Sequence, residues 1–287
     1  MPETYKQSIT PLRTHKEQQP QEQHELKERM SKIKHKIAII SGKGGVGKST
    51  ITVNIATAFA MQNKQVGILD ADIHGPSVPK LLGLEGRQIK ISPNGAEPVE
   101  GPWGLKVMSI DFFLTPEAPV IWRGPLKMRA IKQFLSEVIW NELDYLFIDL
   151  PPGTGDEPLS IAQLLPELDG VIIITMPTQL ASSIVNKAIT FAEKLNMPVI
   201  GVVENMSGFI CPHCNKKTEI FGSGGGEKLS NKAGVAFLGS IPIDPQIRVD
   251  SDSGRPFVYS NKESATTKAF KEIIAKVQKF TENKKIM

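Results

Sequence analysis

Residues 41–50 read SGKGGVGKST, and they constrain the fold more than any other stretch because their chemistry works only between a strand and a helix. Gly42, Gly47, Lys48 and Ser49 fill the pattern G-x-x-x-x-G-K-[ST] in register. An apolar, β-branched run over 37–40 enters the loop, and Val53, Ile55, Ala56 and Phe59 follow it at roughly helical spacing. Glycines let such a loop curl until successive backbone N–H groups face phosphate oxygens, and the helix N-terminus adds partial positive charge. The expected nucleotide contacts are Gly42, Gly44, Gly45, Val46, Gly47, Lys48, Ser49 and Thr50. Lys48 is expected on the β- and γ-phosphates, and the Ser49 hydroxyl on Mg²⁺. Lys43 is a second lysine, one more than an ordinary phosphate loop needs.

Downstream, short apolar runs alternate with helical patterns. Strands are expected over 36–40, 65–70, 105–110, 145–149, 171–175, 199–203 and 236–239, with helices starting near Lys48, Pro125, Glu157, Ala181 and Ser264. This alternation predicts an α/β fold, a mostly parallel twisted sheet with helices on both faces, whose chemistry lies at the C-terminal strand ends. Residues 1–35 read as a flexible polar arm, with a short helix over 25–34, and 36–287 as one ATPase-like domain. Residues 86–104 and 208–226 read as irregular excursions, and Gly222–Gly226 as a hinge. Phe270, Ile273, Ile274, Val277 and Phe280 form an apolar stripe on a last helix over about 264–282, expected to dock on the sheet.

Carboxylates close the expected strands. Asp70 and Asp72 stand where the second strand ends, one suited to the Mg²⁺ water shell and the other to orienting an attacking water. Asp149 ends the run 145–148 and suits a second-sphere Mg²⁺ partner. Asp156 suits the N-cap of the helix that follows. No Asn-Lys-x-Asp of the guanine-reading type is present, whereas Asn205 carries an amide able to pair with adenine, so ATP is the expected nucleotide.

Composition bears on partners and compartment. The net charge of +4 resides in the ends: residues 1–35 and 261–287 together carry +6, leaving −2 for the middle, so no basic footprint for nucleic acid is expected. No apolar run reaches the roughly 18 residues that span a bilayer. The first 35 residues hold no apolar signal core, so the cytoplasm is the expected compartment, with no membrane partner.

Cys211 and Cys214, in FICPHCN, are the only thiols. A lone C-x-x-C is open to three readings: a redox dithiol, half of a metal site, or coincidence. A redox dithiol normally starts a helix, which lowers its thiolate pKa, and here a loop is expected to follow. The Cys-Pro-x-Cys-Asn form suits a metal knuckle, with Asn215 supplying the turn and His213 pointing away. A thiolate site wants four ligands and one chain offers two, so the metal reading requires a homodimer.

Taken together, GKGGVGKS, LDADIHGPS, IDLPPGTGD and CPHC resemble the SIMIBI-class ATPases that include MinD and ParA, and most closely the Mrp/ApbC branch of iron–sulfur cluster carriers, over about residues 36–260. The resemblance implies an ATP-sandwich homodimer in which Lys43 reaches the partner's nucleotide, with Lys43, Lys48 and Asp72 serving hydrolysis. It also implies that Cys211 and Cys214 of both subunits bridge a [4Fe–4S] cluster, received from an assembly scaffold and passed to apo-proteins. Residues 1–35 lack the cysteines that some relatives carry, so a second, permanent cluster is not expected. The rival expectation is a positioning ATPase acting on membrane or DNA, with dispensable cysteines. A third is a zinc-stabilised scaffold.

Overall fold

The computed structural model describes residues 26–113, 124–164, 168–178, 181–211, 214 and 216–284. The chain opens with a helical stretch α1 (residues 26–31), then β1 (Ile33–Ser41), α2 (Lys48–Ala60), β2 (Val66–Asp70) and α3 (Val78–Leu81). Next come β3 (Lys90–Ser92), β4 (Gly95–Glu97), β5 (Val99–Glu100), β6 (Lys106–Ser109), α4 (Gly124–Ser136), β7 (Leu143–Asp149) and α5 (Asp156–Leu164). The remainder is β8 (Gly170–Thr175), α6 (Ala181–Lys194), β9 (Val199–Glu204), β10 (Phe209–Ile210), β11 (Lys217–Thr218), α7 (Gly225–Ala233), β12 (Phe237–Ser240), α8 (Pro245–Asp252), α9 (Phe257–Ser260) and α10 (Ala265–Lys284).

One eight-stranded sheet runs in the order β12-β9-β8-β1-β7-β2-β6-β5, parallel throughout except for the edge strand β5. Period-two alternation along β1 feeds two cores. Ile37 and Ile39 pack with Val53 and Phe59 of α2 and with Phe270 and Ile273 of α10; Ala38 and Ile40 face Ile131, Ile161 and Val185 of α4, α5 and α6. β1 lies between β7 and β8, each reached by a crossover, so the chain leaving β1 stands at a switch point of the sheet. All seven parallel strands end on a polar residue at that edge: Ser41, Asp70, Ser109, Asp149, Thr175, Glu204 and Ser240.

Three expectations need correction. The folded unit begins before residue 36, because Met30 and Ile33 are buried apolar anchors among the charges of the expected arm. The excursion over 86–104 contains the β3–β4 hairpin and β5, too short to show a periodicity. Gly225 and Gly226 open α7 rather than serving as a hinge. In addition, α5 begins at Asp156 itself, with the Gly155 carbonyl accepting from the Leu159 N–H. The arm's first 25 residues and Arg123, a residue without an assigned role, lie outside the described residues.

The stripe on α10 is consumed by the core: Phe270, Ile273, Ile274 and Val277 are buried against the sheet, and Tyr145 Oη and Thr281 Oγ1 share a hydrogen bond at 3.1 Å. No described helix is long and apolar enough to cross a membrane. Ile273→Ala is expected to lower the unfolding free energy by about 2–5 kcal/mol in urea titrations. A change below about 1 kcal/mol would mean that α10 does not hold the sheet together.

Candidate functional site: a phosphate loop beside a cysteine ribbon

The loop over 42–47 joins β1 to α2, and its conformation follows from its glycines. Gly45 (φ 79°) and Gly47 (φ 83°) both sit in the left-handed region, so side-chain-bearing residues would be strained there. Gly47 has a further reason: a Cβ would come within 2.3 Å of Asn205 Nδ2, which donates to the Val46 carbonyl at 2.8 Å. Asn205, expected to read the base, thus also braces the phosphate loop from the end of β9.

Asp149 is fully buried beneath the loop. It pairs with Lys48 Nζ at 2.7 Å and accepts from Ser49 Oγ at 2.5 Å and Thr52 Oγ1 at 2.8 Å. Thr52 carries no motif signal; it is found only because α2 turns it to the same side as Lys48. The chain after Asp149 runs alongside β1, with Gly153 N–H on the Ser41 carbonyl at 2.7 Å and Pro152 against Gly44.

Asp70 stands opposite Asp149 in the β2–β7 register and is also fully buried. Its carboxyl accepts from the Asp72 and Val78 N–H groups and from Ser109 Oγ, each at 3.2 Å. Burial, and then the Asp149 charge, push its pKa up to about 8, against the pull of Lys48 and the two backbone donors. Asp72 is part-exposed beyond the strand, its carboxylate accepting from the Gly75 N–H at 3.3 Å. Lys43 is exposed; its carbonyl accepts from Ser41 Oγ at 3.0 Å, while its ammonium has no hydrogen-bond or ion-pair partner among the described residues.

A cavity of about 350 Å³ opens beside Gly47 and Thr50, lined by Asn205, Met206, Pro242, Ile243 and Ile247 among others. Its apolar walls and single amide suit a purine. Gly47, Thr50 and Asn205 of its lining are expected nucleotide contacts; Pro242 and Ile243 are not, because they reach it through the β12–α8 connection, which carries no nucleotide motif.

The cysteines sit on a two-stranded ribbon. Antiparallel β10 and β11 pair Phe209 with Thr218 and Ile210 with Lys217, and the Cys211 N–H donates to the Lys216 carbonyl at 3.1 Å. Cys214 is exposed at the turn, and neither thiol is in a disulfide. Around them Ile210, Ile220 and Phe221 are exposed apolar side chains. No cluster of three or more His, Cys, Asp or Glu is present among the described residues, so the described part of one chain offers two thiols and no third ligand. His213 and Asn215, expected to point away and to form the turn, lie outside the described residues.

A parallel sheet ending in a glycine loop, with a lysine and a serine over a buried aspartate, defines a P-loop NTPase of the MinD/ParA-like fold. A family model described as ParA, NUBPL iron-transfer P-loop NTPase, matches residues 32–278, and the chain belongs to that family. An iron–sulfur cluster carrier protein of Methanocaldococcus jannaschii is 52% identical over 266 residues, 92% of this chain and 91% of its own. A nucleotide-binding protein of Archaeoglobus fulgidus, solved in complex with ADP, matches with TM-score 0.76 and 45% identity over 86% of this chain and 96% of its own. The MinD cell division ATPase of Pyrococcus furiosus, at 21% identity and TM-score 0.63 over 85% of this chain and 98% of its own, shares the fold.

The raised pKa of Asp70 has a stability consequence. An acid whose folded pKa exceeds its unfolded value holds its proton longer in the native state, so its contribution is complete below about pH 4 and is lost as pH rises to about 8. Asp70→Asn is therefore expected to gain stability relative to the wild type between pH 5 and pH 8 without nucleotide. Urea midpoints that shift in parallel across this range would contradict the assignment.

Proposed function

We propose that the protein binds and hydrolyses ATP as a homodimer and carries a [4Fe–4S] cluster between its two subunits, receiving it from a scaffold and delivering it to apo-proteins. The carrying observation is the Cys211/Cys214 ribbon, rooted beside the phosphate loop with two thiols and no third ligand among the described residues. Thiolates bind iron, four complete a cluster, and a two-fold axis supplies four from two chains. The cluster is cargo, and the exposed Cys214 suits transfer. The names of the curated relatives, iron–sulfur cluster carrier proteins, support the same reading.

In this reading the backbone N–H groups over 42–50 bind the phosphates, and Lys48 exchanges the Asp149 carboxylate for the β- and γ-phosphate oxygens. Ser49 Oγ and Asp149 fit a hydrated Mg²⁺: a hydroxyl and a buried carboxylate share one side of the loop, 2.5 Å apart. Mg²⁺ would neutralise charge on the phosphates. Asp72 orients the attacking water, while Asp70, held within its own chain, shapes the loop from 70 to 78. Lys43, exposed and pointing to no partner among the described residues, completes the partner subunit's site. Asn205 and the cavity beside it take the adenine. A membrane-bound role for the apolar stripe has no support, since α10 spends it on the sheet; neither membrane nor nucleic acid is proposed as a partner, and the cytoplasm is the proposed compartment.

Anaerobic reconstitution with iron and sulfide tests the cargo: about four iron per dimer are expected in the wild type and a marked loss in Cys211→Ser/Cys214→Ser. Equal uptake by both would overturn the carrier reading, and zinc in the protein as purified without transferable iron would favour a structural metal. For the nucleotide, Lys48→Ala is expected to abolish binding, whereas Lys43→Ala keeps the affinity and loses turnover by about 10³-fold or more, as for a charge supplied across subunits. Wild-type turnover in Lys43→Ala would exclude the cross-subunit role.

A further inference from the structure

Glu204, which ends β9, is a fully buried carboxylate outside the nucleotide machinery described above. Its backbone is fixed in the sheet: the Asn205 N–H donates to the Thr175 carbonyl, and the Ile241 N–H to the carbonyl of Glu204 itself, both at 2.8 Å. Its side chain leaves the sheet and accepts three hydrogen bonds. Oε1 accepts from Ser207 Oγ at 2.5 Å and from the Gly224 N–H at 2.9 Å, and Oε2 from the Gly226 N–H at 2.5 Å. These partners are the two feet of the cysteine ribbon. Ser207 precedes β10, and Gly224–Gly226 receives the chain returning from β11.

The return foot is built for this acceptor. The N-cap of α7 is Gly224, with no side-chain cap of its own, so the orphan N–H groups of the first turn are met by a carboxylate from another strand. Glycine at 226 suits that approach: a Cβ there would lie a tight 3.0 Å from Glu204 Cβ and 3.2 Å from Oε2. The glycine run thus grips a carboxylate of its own chain in the way a phosphate loop grips a phosphate.

The residues between Glu204 and Ser207 face the proposed nucleotide site. Asn205 braces Val46 of the phosphate loop, and Met206, held at φ 58° where side-chain-bearing residues are strained, lines the cavity beside Gly47. Phe221, on the return path of the ribbon, lines the same cavity. We propose that Glu204 is a positioning residue that couples nucleotide occupancy to the cysteines: a ligand that shifts the phosphate loop or Met206 moves segment 204–207, and Glu204 carries the shift to both feet of the ribbon at once. This inference rests on the proposed nucleotide site.

The test reads thiol reactivity in the full-length, reduced, cluster-free protein. Mass spectrometry follows the rate of iodoacetamide modification of Cys211 and Cys214 with and without Mg–ADP, at dilutions where sedimentation gives a monomer. The wild-type rate is expected to change about fivefold or more on ADP binding. Glu204→Gln, which puts an amide N–H against backbone N–H donors, is expected to bind ADP unchanged and lose the response. Ser207→Ala removes one foot and leaves both helix-capping bonds, so it gives a reading even where Glu204→Gln misfolds, and it is expected to blunt the response. A wild type indifferent to ADP would overturn the coupling, as would a full response in ADP-bound Ser207→Ala. Loss of ADP binding in both variants would also overturn it, by placing the segment in the nucleotide site itself. Alkylation needs no cluster, so failed reconstitution would sink the carrier reading and leave this measurement standing.

Discussion

The Asp149 carboxylate holds the site together. A buried charge is tolerated only when its lone pairs are met, and all three side chains that meet it, Lys48, Ser49 and Thr52, come from the first turns of α2. The peptide group that follows Asp149 is tied as firmly. The Ala71 N–H donates to the Asp149 carbonyl at 3.0 Å, hooking the exit of β2, and the Leu150 N–H to the Ile39 carbonyl at 3.1 Å, hooking β1. The phosphate loop is therefore shaped by an anion of its own chain before any nucleotide arrives. In the proposed binding step one anion would replace another at Lys48, so the lysine would not be buried without a countercharge.

Most of this arrangement could be read from residue order, because it rests on local rules. The phosphate loop announces its strand and helix through glycine spacing, and Asp149 announces itself as an acid closing an apolar run. The same signal stands at Glu204, in VVEN, one residue beyond the expected strand and beside Asn205, whose amide carries the expected role in base recognition. What stayed hidden is what long-range packing decides. That Asp70 turns inward to Val78 and Ser109 depends on β6 lying beside β2, 39 residues away in sequence. Helices α7, α8 and α9 are too short or too polar for periodicity to reveal, and β10 and β11 hold two residues each.

The MinD-like fold does not by itself say what is carried, since a 21% identical structure shares only the architecture. Discrimination comes from two local features. In α10 the apolar stripe is spent on the sheet, leaving no unpartnered amphipathic face on that helix. In the ribbon the chain does the reverse: Ile210, Ile220 and Phe221 stay exposed around two thiols that find no third metal ligand among the described residues. Apolar side chains kept in water beside two metal-binding thiols suit a second copy of the same surface, which would bury the one and bring two more of the other.

Three acids end three parallel strands at the same edge, and environment alone separates them. Asp149 meets a lysine and two hydroxyls and stands as the anion that neutralises Lys48. Asp70, one strand away, meets weaker donors and faces Asp149 itself, so two like charges in one buried space are avoided by holding a proton to about pH 8. Glu204, two strands beyond β1 on the other side, meets backbone N–H groups at the start of α7 and a hydroxyl, and so anchors a helix rather than a ligand. Because Asn205 follows it directly and touches Val46, the anchored helix and the phosphate loop share a single short segment of backbone. Any rearrangement at the nucleotide must either be absorbed within residues 204–207 or reach the cysteines, and a segment pinned at Thr175, Ile241, Gly224 and Gly226 has little room to absorb it.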